Sequence, residues 1–250
     1  MDKKLLKTEE ELKILREGGK IFILIMKQLK SATTIGTSTK KLDQLVDTLC
    51  HEYKVIAGTK GYRGFPASFC PCVNDTVVHG IPSEKVVLRD GDIITLDLVI
   101  KHKGLYVDGA ITVALGHVPL PTLQFLETVK RARDLAIHKV KPGRYIGDLS
   151  SIMEYTVRQK GYSPVREMTG HGIGYSMHEE PIIPCLGEPG TGIKIQAGMV
   201  LAIEAIIAYG KPEIVISKSD GWTAKTKDCS IAAVFEHTII VEKNGYTIIT

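Results

Sequence analysis

The stretch Ile93–Leu115, IITLDLVIKHKGLYVDGAITVAL, constrains the fold of this chain more than any other. It reads as two apolar strands joined by a short turn, and each strand carries one aspartate, Asp97 and Asp108, in its apolar interior. A turn centred on His102-Lys103 pairs residues whose numbers sum to 205, which sets the two carboxylates face to face. Directly opposed Cβ atoms in an antiparallel pair lie about 4.5–5.5 Å apart, and like charges there destabilise the pair. At an effective dielectric of ~20 the repulsion is on the order of 3 kcal/mol, and desolvation adds to it. No lysine or arginine lies in the apolar interior of either strand, so a bound cation is one way to satisfy both groups. The alternative is a register slip that turns one aspartate to solvent.

Other buried charges bear on that choice. Glu204 sits inside MVLAIEAIIA and Glu236 inside SIAAVFEHTII, both strand-like runs, and carboxylates are rarely buried without a partner. His171 lies in Gly170-His171-Gly172-Ile173-Gly174, read as a Gly-rich loop that leaves the ring accessible. Two aspartates, two glutamates and one imidazole suit Mn²⁺, Fe²⁺, Co²⁺ or Zn²⁺ better than an ion that prefers thiolates. Four carboxylates exceed the need of one divalent ion, and two ions about 3.5–4 Å apart would balance the charge.

A chain of 250 residues can bury about three quarters of its unfolded surface. Its net charge of +4 comes from scattered Lys and Arg, which argues against nucleic acid as a direct substrate. The N-terminus, MDKKLLKTEEELK, lacks the apolar core of a signal peptide, and no apolar run is long enough to span a membrane. A soluble, cytoplasmic protein is expected, and five cysteines, an odd count, fit free thiols.

Thr8-Glu9-Glu10-Glu11 reads as a capping box opening a helix to about Leu29, with Leu12, Leu15, Phe22, Ile25 and Leu29 as its apolar stripe. Further helices are expected at Thr122–Lys139 and Ile146–Gln159, and strands at Val86–Leu88, Met199–Ile207 and Ile231–Val241. Gly36, Leu42 and Leu45 recur 107 residues later as Gly143, Leu149 and Ile152. A second echo matches His79-Gly80-Ile81-Pro82 to His178-Glu179-Glu180-Pro181. Two matches in the same order predict one compact unit of two similar halves, about 1–117 and 118–250. Helices mixed with hairpins, without regular βαβ alternation, give an α+β class with antiparallel sheets flanked by helices.

These residues carry a family resemblance. Gly61–Pro82 (GYRGFPASFCPCVNDTVVHGIP), the Asp97/Asp108 hairpin, Gly170–Pro181 (GHGIGYSMHEEP), Glu204 and Glu236 together resemble the type I methionine aminopeptidases, from the first helix to the last strand. The resemblance implies a two-lobed pita-bread fold with a pseudo-two-fold repeat, and two divalent metal ions that activate a water. Asp97 would hold one ion, Asp108 and Glu236 both, and His171 and Glu204 the other. Glu204 would also shuttle the proton, His178 would hydrogen-bond the scissile carbonyl, and His79 would contact the leaving amide. Tyr62, Phe65, Cys70 and Trp222 would line the methionine pocket. The implied partners are nascent polypeptide N-termini, with a ribosome contact suggested by the family's timing, and a monomer is expected.

The chain departs from the family pattern at four places. Met177 replaces the usual Phe, Ala205 the usual Pro after the glutamate, Cys72 the common Ser, and Asp108-Gly109-Ala110 lacks the Arg-Thr that often follows the second aspartate. Met177 and Ala205 are expected to border the substrate. Proline-specific aminopeptidases and prolidases are similar in fold and ligands but usually carry a separate N-terminal domain, for which helix one at Thr8 leaves no room. Type II enzymes carry a C-terminal insertion that the spacings of 33 and 32 residues between His171, Glu204 and Glu236 exclude. A non-catalytic binding module of the same fold would be expected to lose ligands, and all five are intact.

Overall fold

The computed structural model describes residues 5–250, so residues 1–4 of the charged N-terminal stretch lie outside the described residues. Helix α1 (Glu9–Ala32) opens on the expected capping box, in which the Thr8 hydroxyl accepts from the Glu11 N–H and the Glu11 carboxylate accepts from the Thr8 N–H. Its apolar stripe is buried, and α2 (Thr39–Glu52), capped by Ser38, packs beside it. The first half continues through β1 (Ile56–Ala57), β2 (Cys70–Val73), β3 (Thr76–Val78), β4 (Ile93–His102) and β5 (Leu105–Ala114). The second contains α3 (Leu120–His138), α4 (Ile146–Arg158), β6 (Ser163–Pro164), β7 (Thr169–Gly172), β8 (Glu179–Pro184), β9 (Val200–Ala208), β10 (Ile214–Ile216), β11 (Ala224–Thr226), β12 (Ala232–Glu242) and β13 (Gly245–Ile248).

Two sheets share one plan. In the first, β1 and β2 pair with one edge of β4 and β5 with the other. In the second, β6 and β7 pair with one edge of β9 and β12 with the other, while β8 and β13 extend the sheet. The recurrence at 107 residues reaches into the backbone. Gly36 and Gly143 both take left-handed φ angles, 87° and 94°, which glycine tolerates without a Cβ clash. The Gly36 N–H donates to the Leu88 carbonyl at 2.8 Å and the Gly143 N–H to the Ile195 carbonyl at 2.9 Å. Isolated bridges join Ser38 to Val87 and Tyr145 to Lys194, the same pairing displaced by the same interval. Residues 86–88 are therefore a single bridge and not the expected strand, because Leu88 bonds back to the turn before α2 instead of to a ladder.

The hairpin register differs from the expected one. The β4–β5 ladder pairs residues whose numbers sum to 207, with Asp97 opposite Ala110 and Asp108 opposite Val99. The turn is Lys103-Gly104, with φ of 46° and 91°. A two-residue hairpin turn of this kind needs positive φ at both central positions, which His102-Lys103 supplies less readily than Lys103-Gly104. A shift of two preserves parity, so the aspartates remain on one face as diagonal neighbours, about 7–8 Å apart at the backbone.

That parity sorts the strands. Ile94, Leu96, Leu98 and Ile100 join the core of α1 and α2, and Leu201, Ile203, Ala205 and Ile207 join the core of α3 and α4. Asp97 and Glu204 belong to the opposite faces, which meet along a seam between β5 and β12. Two buried threonines close it without a regular ladder. The Thr238 hydroxyl donates to the Asp108 carbonyl at 2.7 Å and accepts from the Asp108 N–H at 3.1 Å. Thr112 treats Val234 in the same way, at 2.9 and 3.0 Å, and with its hydrogen so used it accepts from Thr95 at 2.7 Å.

Thr238→Val keeps the shape and strands both Asp108 backbone groups, so urea unfolding should show a loss of about 1–3 kcal/mol with an unchanged m-value.

Candidate metal centre

The seam opens into a cavity of about 440 Å³ that is bordered by all eleven residues named from the sequence. Asp97, Asp108, His171, Glu204 and Glu236 line it, as do Tyr62, Phe65, Cys70, His79, His178 and Trp222. Asp108, His171 and Glu236 each offer a ligand atom, all within 4.8 Å of one another. Glu204 stands directly opposite Glu236 in the β9–β12 ladder, and its Oε1 is 3.5 Å from His171 Nε2. Asp97 lies outside the tight cluster and faces the same cavity.

His171 is not in an accessible loop. It belongs to β7, opposite Ala202 of β9, and is 5% exposed. Its Nδ1 lies 2.9 Å from the Gly172 carbonyl, which can only accept, so Nδ1 carries the hydrogen and the Nε2 lone pair points towards Asp108 and Glu204. Burial pushes the imidazole down to about 4, which keeps it neutral and able to ligate. The glycines around it serve close packing, since a Cβ at Gly172 would collide with the Glu180 carbonyl oxygen.

Burial also dominates the carboxyl groups. Asp97 is raised to about 7 by desolvation, against a hydrogen bond from the Cys70 thiol. Cys70 faces Asp97 across the β2–β4 ladder, a pairing that the sequence reading missed along with strand β2 itself. Asp108, Glu204 and Glu236 are pushed well above the usual carboxylate range, first by desolvation and then by neighbouring carboxyls, Asp97 acting on Asp108 and Asp108 on both glutamates. Glu236 Oε1 is buried without a hydrogen-bond partner. An oriented neutral imidazole, a partnerless carboxylate oxygen and mutually repelling carboxyls fit a divalent cation, which would replace the protons they otherwise hold.

The histidines flank this centre. The Tyr62 hydroxyl and His178 Nδ1 are 2.8 Å apart, and the His171 and His178 rings have centroids 4.4 Å apart. Desolvation, then His171, His79 and Arg63, pushes His178 down to about 3. His79 takes φ of 57°, uncommon for a residue other than glycine, and its ring meets Trp222 edge-on with centroids 6.1 Å apart. Trp222 in turn meets Phe65 at 5.3 Å, and Asp220 fixes the turn that presents it by accepting from the Trp222 and Thr223 N–H groups.

Of the four departures, only Met177 borders the cavity. Ala205 packs on the helix side of β9, so it does not border the substrate as expected, because its neighbour Glu204 takes the cavity face. Gly109 is also on the helix side, where a Cβ would sit 2.7 Å from Phe22. Cys72 is buried and accepts the Gly80 N–H beside His79. Val99 and Ile206 also border the cavity and were missed; each lies two residues beyond a named carboxylate, so strand alternation was the available signal.

Divalent metal at about 100 times its dissociation constant should raise the melting temperature by roughly 5–10 °C, and much less in Asp97→Ala. Without metal, carboxyl groups whose folded pKa values are raised give stability at low pH that is lost as pH rises. The metal-free protein should therefore lose stability from about pH 4 upward, through the Asp97 value of about 7, as followed by urea unfolding at each pH.

The sequence profile of metallopeptidase family M24 matches residues 13–243. The methionine aminopeptidase of Clostridium acetobutylicum is 39% identical over 247 residues, and methionine aminopeptidase 1 of Bacillus subtilis 38% over 244, each across 98% of both chains. The solved methionine aminopeptidase of Thermotoga maritima is similar at a TM-score of 0.96, with 35% identity across 98% of both chains. Prolidase from Pyrococcus furiosus, at 21% identity and a TM-score of 0.78 over 98% of this chain and 65% of that one, shares the fold alone. The two-lobed pita-bread architecture and the full-length match agree, and the chain belongs to metallopeptidase family M24.

Proposed function

We infer that this chain is a methionine aminopeptidase, a metal-dependent exopeptidase that removes the N-terminal methionine from polypeptides with a small second residue. The observation that carries the reading is that a divalent-metal donor set and an aromatic, apolar wall share one cavity. In this reading Asp97, Asp108, His171, Glu204 and Glu236 hold two divalent ions, drawn from Fe²⁺, Mn²⁺, Co²⁺ or Zn²⁺. Such ions supply Lewis-acid activation of water and carbonyl.

The remaining chemistry belongs to the side chains. Glu204, beside His171 and opposite Glu236, accepts the water proton at a carboxylate oxygen and passes it to the leaving amine. The neutral His178 ring, with Tyr62 donating to Nδ1, keeps its hydrogen on Nε2 and donates it to the scissile carbonyl oxygen as charge develops there. His79, braced by Trp222, contacts the amide on the leaving side. Phe65, Trp222, Tyr62 and Cys70 receive the methionine side chain, whose flexible thioether suits aromatic edges.

The chain acts in this reading as one catalytic unit on nascent N-termini in the cytoplasm, as a monomer, with its mildly basic surface meeting the ribosome. No described helix is long and apolar enough to cross a membrane. A proline-specific activity is the second reading, since the fold is shared with prolidase and does not by itself choose between the two.

Metal-reconstituted protein should release methionine from Met-Ala-Ser and leave Ala-Pro intact, and the opposite result would favour the second reading. Glu204→Gln should lower kcat by about 10²–10⁴-fold, and near-normal turnover would remove Glu204 from the proton path.

A further inference from the structure

A lysine far from the metal centre in sequence is buried against the segment that carries His178. The Lys7 side chain is 1% exposed, and its Nζ lies 2.7 Å from Glu179 Oε2, itself 10% exposed. The other Glu179 oxygen accepts the Ser176 N–H at 2.7 Å. Lys7 Nζ also sits 4.5 Å from the centre of the Tyr175 ring, and the Tyr175 hydroxyl donates to Glu11 at 2.7 Å. The Lys7 N–H donates to the Gly198 carbonyl at 2.9 Å, tying this strap to the turn before β9. Gly174 takes φ of 145°, and a Cβ there would collide with Lys7 Cε.

Residues 174–178 are bends with neither helix nor ladder to hold them. A buried ammonium is costly unless paired, and an ion pair of this kind adds more to a defined geometry than to net stability. Glu179 follows His178 directly, so the pair acts on the backbone that aims the imidazole. We propose that Lys7 is a positioning residue for His178: its ammonium fixes the Glu179 carboxylate, which gathers the Ser176 N–H and holds the segment so that His178 meets Tyr62 and the substrate carbonyl. The proposal rests on the role of His178 inferred above.

The test is Met-Ala-Ser hydrolysis by the metal-loaded full chain, paired with amide hydrogen exchange. Lys7→Met should lower kcat by about 10–100-fold with little change in KM, the scale expected when a catalytic group is misplaced by about 1 Å. Lys7→Arg should restore most of the loss. In a His178→Ala background, Lys7→Met should cost less than about twofold, because the two changes remove one interaction. Exchange at Ser176 and Glu179 should accelerate in Lys7→Met while α3 is unaffected. Glu179→Gln, which keeps the shape and removes the charge, should behave as Lys7→Met does and serves if that variant does not fold. Arg16→Met, which breaks the Arg16–Glu242 ion pair between α1 and β12, should leave kcat unchanged.

Wild-type kcat in both Lys7→Met and Glu179→Gln would overturn the proposal, as would an equal loss in the His178→Ala background. A His178→Ala enzyme with full activity would instead overturn the role of His178, and the proposal with it.

Discussion

Four carboxyl groups gathered in one desolvated cavity are the constraint on which the rest of this structure depends. Each half contributes one from a central strand and one from its neighbour, Asp97 and Asp108 from β4 and β5, Glu204 and Glu236 from β9 and β12. Joined along the β5–β12 seam, the halves create a space where water is scarce and carboxylates repel, which a divalent cation relieves. The threonine bridges at Thr112 and Thr238 matter for the same reason, since they satisfy the backbone groups of Val234 and Asp108 across the seam, where no ladder joins β5 to β12.

The repeat builds the cavity, and departures from it give the cavity a direction. Asp97 and Glu204 lie 107 residues apart on matching strands. The candidate histidine breaks that symmetry: His171 pairs with Ala202, the equivalent of Thr95, and the β2 residue opposite Thr95 is Cys72. One half thus offers an imidazole where the other offers a buried thiol that caps Gly80. The aromatic wall is equally one-sided, with Phe65 and Trp222 grouped on the side of Cys70 and His79. The cavity thus has an apolar, aromatic wall at one end and the carboxyl and imidazole cluster at the other.

Much of this was legible in the chain. The capping box at Thr8 and the stripes of α1 and α4 were placed within a few residues because helical periodicity is a local signal. The five ligand candidates stood out because charge inside an apolar strand needs an explanation wherever the strand goes. The short strands β2, β7 and β8 were not legible: four to six residues containing Pro or Gly carry too little periodicity, and their pairing with β4 and β9 comes from distant segments. The hairpin register was misjudged by two residues for a local reason, the preference of the turn for Gly104, yet the inference from it survived because face depends only on parity.

By itself, then, the sequence determined the periodicities, the internal repeat and the list of groups that demand a cation, because these follow from residue types at fixed spacings. Tertiary structure alone decided how those groups are aimed. Which ring nitrogen of His171 is free depends on the Gly172 carbonyl within β7, and the neighbour of Asp97 is Cys70 because β2 crosses to β4. That Ala205 turns away from the cavity follows from the face Glu204 takes, and that Lys7 reaches Glu179 across 172 positions follows from the packing of the N-terminal strap. Direction, register and long-range charge pairing arise from contacts between segments, and no local pattern of residues encodes them.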